Sequence, residues 1–103
     1  MTKKEITMIG FELVALAGEA RSYLLSALNF AKENKFDEIE DLFKQAEELI
    51  IECHKKQTEM LQKEAQGDYS EVTLIMVHGQ DHLMTTILLK ELVGHIVDLY
   101  KKK

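Results

Sequence analysis

Leu74-Ile75-Met76-Val77-His78-Gly79-Gln80-Asp81-His82-Leu83-Met84-Thr85-Thr86-Ile87-Leu88-Leu89-Lys90 is the stretch on which the fold turns. Read at helical spacing, it is apolar on more than one side. One stripe runs Ile75, Gly79, His82, Thr86, Leu89, Val93, Ile96, Tyr100. A second runs Leu74, His78, Asp81, Thr85, Leu88, Leu92, His95, Leu99, and a third includes Met76, Leu83, Ile87 and Val97. A helix in a small bundle buries one side, so a helix apolar nearly all round needs further partners. The segment reaches Tyr100 with no strong breaker, although Gly79 and Gly94 weaken it.

Two more helical segments precede it. The first opens with Thr2-x-x-Glu5, a capping box, and carries a stripe of Ile6, Ile9, Leu13, Leu16, Ala20, Tyr23, Ala27 and Ala31. It breaks at Glu33-Asn34-Lys35, where Asn suits a left-handed helix end. The second opens with Asp37-x-x-Glu40, carries Ile39, Leu42, Phe43, Ala46, Leu49, Ile50, Cys53, Met60 and Leu61, and stops near Gly67. The third restarts at Ser70 or at Asp68-x-x-Glu71. The expected helices are 3–33, 37–66 and 70–101, each about 45 Å long. Short links make neighbours antiparallel, so the expected fold is all-α: an up-down-up three-helix bundle in one domain, 1–103. Its spare apolar surface calls for self-association with closed symmetry, and periodicity alone leaves two or three copies open.

Composition agrees with this architecture. The chain has 103 residues, 46% hydrophobic and 30% charged, and no proline. Average usage would place roughly five prolines in such a chain, and their absence removes the usual helix breakers. The net charge of −5 argues against nucleic acid or an anionic membrane as the main partner. The short basic tail Lys101-Lys102-Lys103 suits a helix C-terminus. The single cysteine, Cys53, excludes an internal disulfide and reads as a small core residue. The longest apolar run, Leu74-Ile75-Met76-Val77, is far short of a membrane span, and the first residues lack the apolar stretch of a signal peptide. The expected location is the cytoplasm.

The chemistry gathers at Val77-His78-Gly79-Gln80-Asp81-His82-Leu83-Met84-Thr85-Thr86. His78, Asp81, His82 and Thr85 share one side of a helix, where the pattern otherwise asks for apolar residues. Such groups must be paired or liganded if buried. One reading is structural: a polar layer that sets register in a helical assembly. Others are functional. Histidines at i and i+4 are zinc-like spacing, but the metalloprotease pattern needs a glutamate where this chain has Gly79. General acid–base work by His78, oriented by Asp81, lacks a nearby Ser or Cys nucleophile. Nucleophilic catalysis by histidine remains, because a neutral imidazole keeps one unprotonated nitrogen and can accept and release a phosphoryl group. Gly79 beside it would leave open space for a partner protein. Spacing leaves the structural and functional readings both open.

The thirteen residues from His78 to Lys90 resemble the signature of the lactose/cellobiose-type enzyme IIA of the bacterial phosphotransferase system. Further likeness lies in Gly10-Phe11-Glu12, in the stretch from Ala15 to Leu25 with Gly18 and Ala20-Arg21-Ser22, in His54-x-x-Gln57-Thr58 and in Asp98-Leu99-Tyr100-Lys101. The resemblance implies a homotrimer of nine helices. It implies a phosphocarrier that takes a phosphoryl group from phosphorylated HPr and passes it to a cysteine of enzyme IIB. Enzyme IIB, with the membrane component IIC, then couples it to uptake and phosphorylation of a β-linked disaccharide such as lactose, cellobiose or chitobiose. His78 matches the phosphorylated histidine, and Asp81 the buried aspartate on the three-fold axis. Three ionised carboxylates there would repel, so a divalent cation is expected at Asp81; Mg²⁺ suits oxygen ligands. A phosphate inside a helix cannot use a helix N-terminus, so its donors must be side chains. Gln80 and His82 are the nearest candidates, with Gln80 on another face and so suited to a neighbour's site. His54 and Gln57 are weaker candidates whose simpler reading is a solvated face. His95 reads as structural. Met76, Met84 and Ile75 are either core or, where exposed, an adaptable docking patch.

Overall fold

The structure, a computed structural model, describes residues 1–68 and 71–102. It is three antiparallel helices in a rod of 53 × 19 × 18 Å: α1 (Lys3–Lys32), α2 (Ile39–Ala65) and α3 (Leu74–Lys101). The all-α up-down-up expectation holds. Helix α1 is the central member; it packs along both others, while α2 and α3 meet only sparsely.

Local chemistry sets most of the helix ends. The Thr2 hydroxyl accepts from the Glu5 amide at 3.1 Å and caps α1. Asn34 takes φ +60°; its amide bonds the Ala31 carbonyl and the Lys35 amide bonds that of Phe30. That is a Schellman end, and Gly67 repeats it at φ +84° with bonds from Gly67 to Glu64 and from Asp68 to Lys63. Two expected starts shift. Helix α2 begins at Ile39 rather than 37: Glu38 stands at its cap position and no side chain caps it. Helix α3 begins at Leu74, because the Thr73 hydroxyl accepts from the Met76 amide at 3.2 Å. Asp68 belongs instead to the end of α2, and Ser70 lies outside the described residues.

The stripe of α1 is rotated from the expected one. Its buried residues are Ile6, Gly10, Leu13, Ala17, Ala20, Leu24, Ala27 and Ala31, spaced alternately by four and three. Ile9, Leu16 and Tyr23 flank this seam, half-buried. Small residues occupy the seam because α3 lies so near. A Cβ on Gly10 would sit 3.0 Å from the backbone of Ile75 and Met76. A Cβ on Gly79 would sit 2.9 Å from the Gly10 carbonyl and 2.9 Å from Leu13 Cβ. Gly79 therefore closes the α1–α3 contact and does not open space for a partner. Gly79→Val should destabilise the fold by about 2–3 kcal/mol, since rigid backbone stands in the way. Gly94→Ala, on the same helix but 3.9 Å from its nearest neighbour Phe43, should instead gain about 0.5–1 kcal/mol. Chemical denaturation of the two variants checks this, and equal signs would refute it.

Cys53 is fully buried, its thiol directed at the Leu13 carbonyl at 3.6 Å, as a core residue should be. Burial pushes the thiol from its ordinary 9.0 up to about 11. The folded value lies above the unfolded one, so the thiol's contribution is complete below the lower value and drains as pH rises through the upper one. Denaturation across that window should show the wild type losing up to about 2 kcal/mol relative to Cys53→Ala. Parallel profiles for the two proteins would contradict it.

Candidate functional site

Helix α3 buries Met76, Gly79, Leu83, Thr86, Val93 and Val97 against the bundle. Its opposite side stays bare. Leu74 is 86% exposed, Leu88 54%, Leu92 51% and Leu99 64%. These leucines, with exposed His78, Asp81, Thr85 and His95, are the second stripe read from the sequence. They recur alternately at four and three residues, the spacing of a coiled-coil seam.

His78 stands on that bare seam, one turn into α3. His82, half-buried, meets it edge to face, with ring centroids 4.5 Å apart and planes at 87°. Nδ1 of His82 is buried and, among the described residues, has no hydrogen-bond partner. Burial, then the Arg21 guanidinium and His78, hold His82 below the ordinary histidine range, against an upward pull from Asp81. A neutral ring therefore flanks His78. Because α3 begins at Leu74 and not at 70, its first amides lie one turn before His78; beyond them the backbone donors are used within the helix, and further contacts to anything bound at His78 come from side chains.

Arg21 is the side chain that sequence reading left without a role. It reaches from α1 to donate to the Thr85 hydroxyl at 2.6 Å and to that of Thr86 at 3.4 Å. Thr85 also bonds the Asp81 carbonyl at 2.7 Å, and Thr86 the Ala17 carbonyl at 3.5 Å. Only its place on the same turn of the bundle connects Arg21 with this site; in sequence it lies far from it. Gln80 faces the other way, toward α2, where Gln57 donates to its amide oxygen. So the structure brings His82 to His78 and places Gln80 apart from it within one subunit. Gln57 is buried rather than solvated, while His54 and His95 are exposed. Of the three docking candidates, Met76 is core, Ile75 is half-buried and Met84 is 45% exposed.

Asp81 is exposed on the seam. Among the described residues no three His, Cys, Asp or Glu side chains cluster closely enough to hold a metal ion. One subunit therefore offers a cation a single carboxylate here, and the set expected for Mg²⁺ exists only if symmetry gathers three copies. Among the described residues no helix is long and apolar enough to cross a membrane.

Comparison with known proteins extends over the whole chain. The family model "PTS system, Lactose/Cellobiose specific IIA subunit" matches residues 8–101. A lactose-specific EIIA component from Streptococcus mutans is 53% identical over 102 residues, covering 99% of this chain and 98% of that protein. The crystal structure of a cellobiose-specific enzyme IIA from Bacillus anthracis superposes with a TM-score of 0.91 at 44% identity, covering 99% of this chain and 92% of that one. A solution structure of the chitobiose IIA of Escherichia coli, in complex with HPr, gives 0.78 at 31% identity, covering 99% and 96%.

Proposed function

The chain belongs to the lactose/cellobiose-specific IIA family of the phosphotransferase system, and from that premise we propose that it is a phosphocarrier working through His78. The observation that carries the reading is an exposed histidine on the bare face of α3, flanked by a second, half-buried imidazole. The unprotonated ring nitrogen of His78 attacks the phosphorus of phospho-HPr as the donor's P–N bond breaks and its electron pair returns to the donor ring. A cysteine thiolate of enzyme IIB then takes the group from His78 by the same in-line exchange. Little covalent work falls to the protein in such a transfer; alignment and charge do most of it. Exposed Val77, next to His78 in sequence, and Met84, two turns further along the same side of α3 as Val77, give partners an adaptable apolar surface. The relatives of this chain serve lactose, cellobiose and chitobiose branches, so the cargo is assigned as a β-linked disaccharide, with uptake coupled through IIB and membrane IIC.

The assembly is assigned as a homotrimer about the bare seam of α3, nine helices in all. In it Asp81 from three subunits would converge, and a divalent cation such as Mg²⁺ would neutralise them. The same seam gives the register-setting reading a place: His78, Asp81, Thr85 and His95 interrupt its leucines. That role accompanies the carrier function and does not replace it. Intact mass after incubation with phosphoenolpyruvate, enzyme I and HPr tests the proposal. The expected result is one acid-labile phosphoryl group per chain. No gain, with HPr phosphorylated in the same tube, would overturn it.

A further inference from the structure

Arg21 has an unusual set of partners. Of thirteen Lys and Arg residues in this acidic chain, it is the only arginine. Lysines 3, 35, 56 and 90 each pair with a glutamate. Among the described residues no carboxylate pairs with Arg21; its hydrogen bonds go to two neutral hydroxyls, both through one guanidinium nitrogen. A guanidinium has five N–H donors in a rigid fork, so most of this fork is uncommitted. Neutral hydroxyls are also modest partners for it. An anionic oxygen makes bonds roughly twice as strong and fits the fork in pairs. A fixed, half-buried cation without a counter-ion, in an acidic protein, is a place where an anion is missing.

Position says which anion. Thr85 lies on the bare seam of α3, two turns beyond His78, with His82 between them. Thr85, which Arg21 holds, follows His82 by one turn, and the ring of His82 meets that of His78. Phosphorylation of His78 adds nearly two negative charges to the second turn of α3. Resting on the carrier reading above, we propose that Arg21 is the cation that stabilises the phosphoryl group on His78. The bond changes are those of the transfer itself: P–N to the donor breaks, N–P to His78 forms, and charge spreads over the phosphoryl oxygens. Arg21 favours the state in which those oxygens sit over α3.

The test is the equilibrium of phosphoryl exchange between HPr and the whole protein, with the lifetime of the phosphohistidine as a second readout. Arg21→Gln keeps an amide donor for Thr85 and removes the charge. It should shift the equilibrium about fivefold toward phospho-HPr, which corresponds to about 1 kcal/mol, and should shorten the phosphohistidine lifetime. Arg21→Lys should retain most of the effect, and added salt should shrink the difference between wild type and Arg21→Gln. An Arg21→Gln protein with wild-type equilibrium and lifetime would overturn the inference alone. So would Thr85→Val reproducing the whole loss with Arg21 intact, because the arginine would then act only as a tether between α1 and α3. If wild type takes no phosphoryl group from phospho-HPr, the carrier reading fails and this inference falls with it.

Discussion

His78→Ala should abolish phosphoryl acceptance while leaving the fold and assembly of the protein unchanged. The loss should be on the order of 10⁶ in rate, the scale seen when a nucleophile is removed outright. Stability should change little, for two reasons. His78 is exposed in the subunit, and alanine is the best helix former, so the substituted turn of α3 has no cause to open. The measurement is intact mass and sedimentation of wild type and variant, side by side, after incubation with phosphoenolpyruvate, enzyme I and HPr. A variant that still gains an acid-labile phosphoryl group would move the acceptor elsewhere, with His82 the first place to look. A variant that loses its assembly as well would make His78 a register residue first.

Placing glutamate at both Leu88 and Leu92 should break the proposed trimer into monomers. The two side chains are 54% and 51% exposed in the subunit and occupy neighbouring levels of the seam. Burying a leucine is worth about 1.5–3 kcal/mol, and three copies lose two each. Six carboxylates close to one axis add repulsion that the interface cannot screen with water. The monomer's own core, centred on Leu13, Leu24, Leu83 and Val93, is untouched, so helix content should persist near the wild-type level. Light scattering and circular dichroism measure both. A variant that stays trimeric would place the interface on another face, such as the α1 side with exposed Met8 and Phe11. The same instruments test the cation: a chelator should weaken assembly of the wild type and leave Asp81→Leu unaffected.

The three helices and the polar cluster were legible because both are local patterns. Thr2, Asn34 and Gly67 act within a few residues of themselves, so spacing and residue type were enough. Thr73 was overlooked because Asp68, Ser70 and Glu71 offered an equally good start, and only the Schellman turn at Gly67 claims Asp68 for α2. The seam of α1 was misread by a fraction of a turn. Gly10 and Ala17 carry too little hydrocarbon to register as core, yet closeness of backbones is what makes them core. Gly79 was read as a gap for the same reason. Arg21 could not be found from α3 alone, since its meeting with Thr85 spans 64 residues and exists only after α1 and α3 pack. The exposed second stripe, by contrast, was legible because its four-and-three period lies wholly within α3.

The backbone contact between Gly10 and Gly79 reaches beyond packing. It pins the turn that carries His78 directly to the central helix, with no side chain between them to act as a cushion. If His78 is the carrier residue, as proposed, a turn held this closely has little room to shift when the histidine is loaded. On the proposed carrier reading, the difference that donor and acceptor then meet is chiefly one of charge. Both encounters should then depend on ionic strength and on the charge each partner presents.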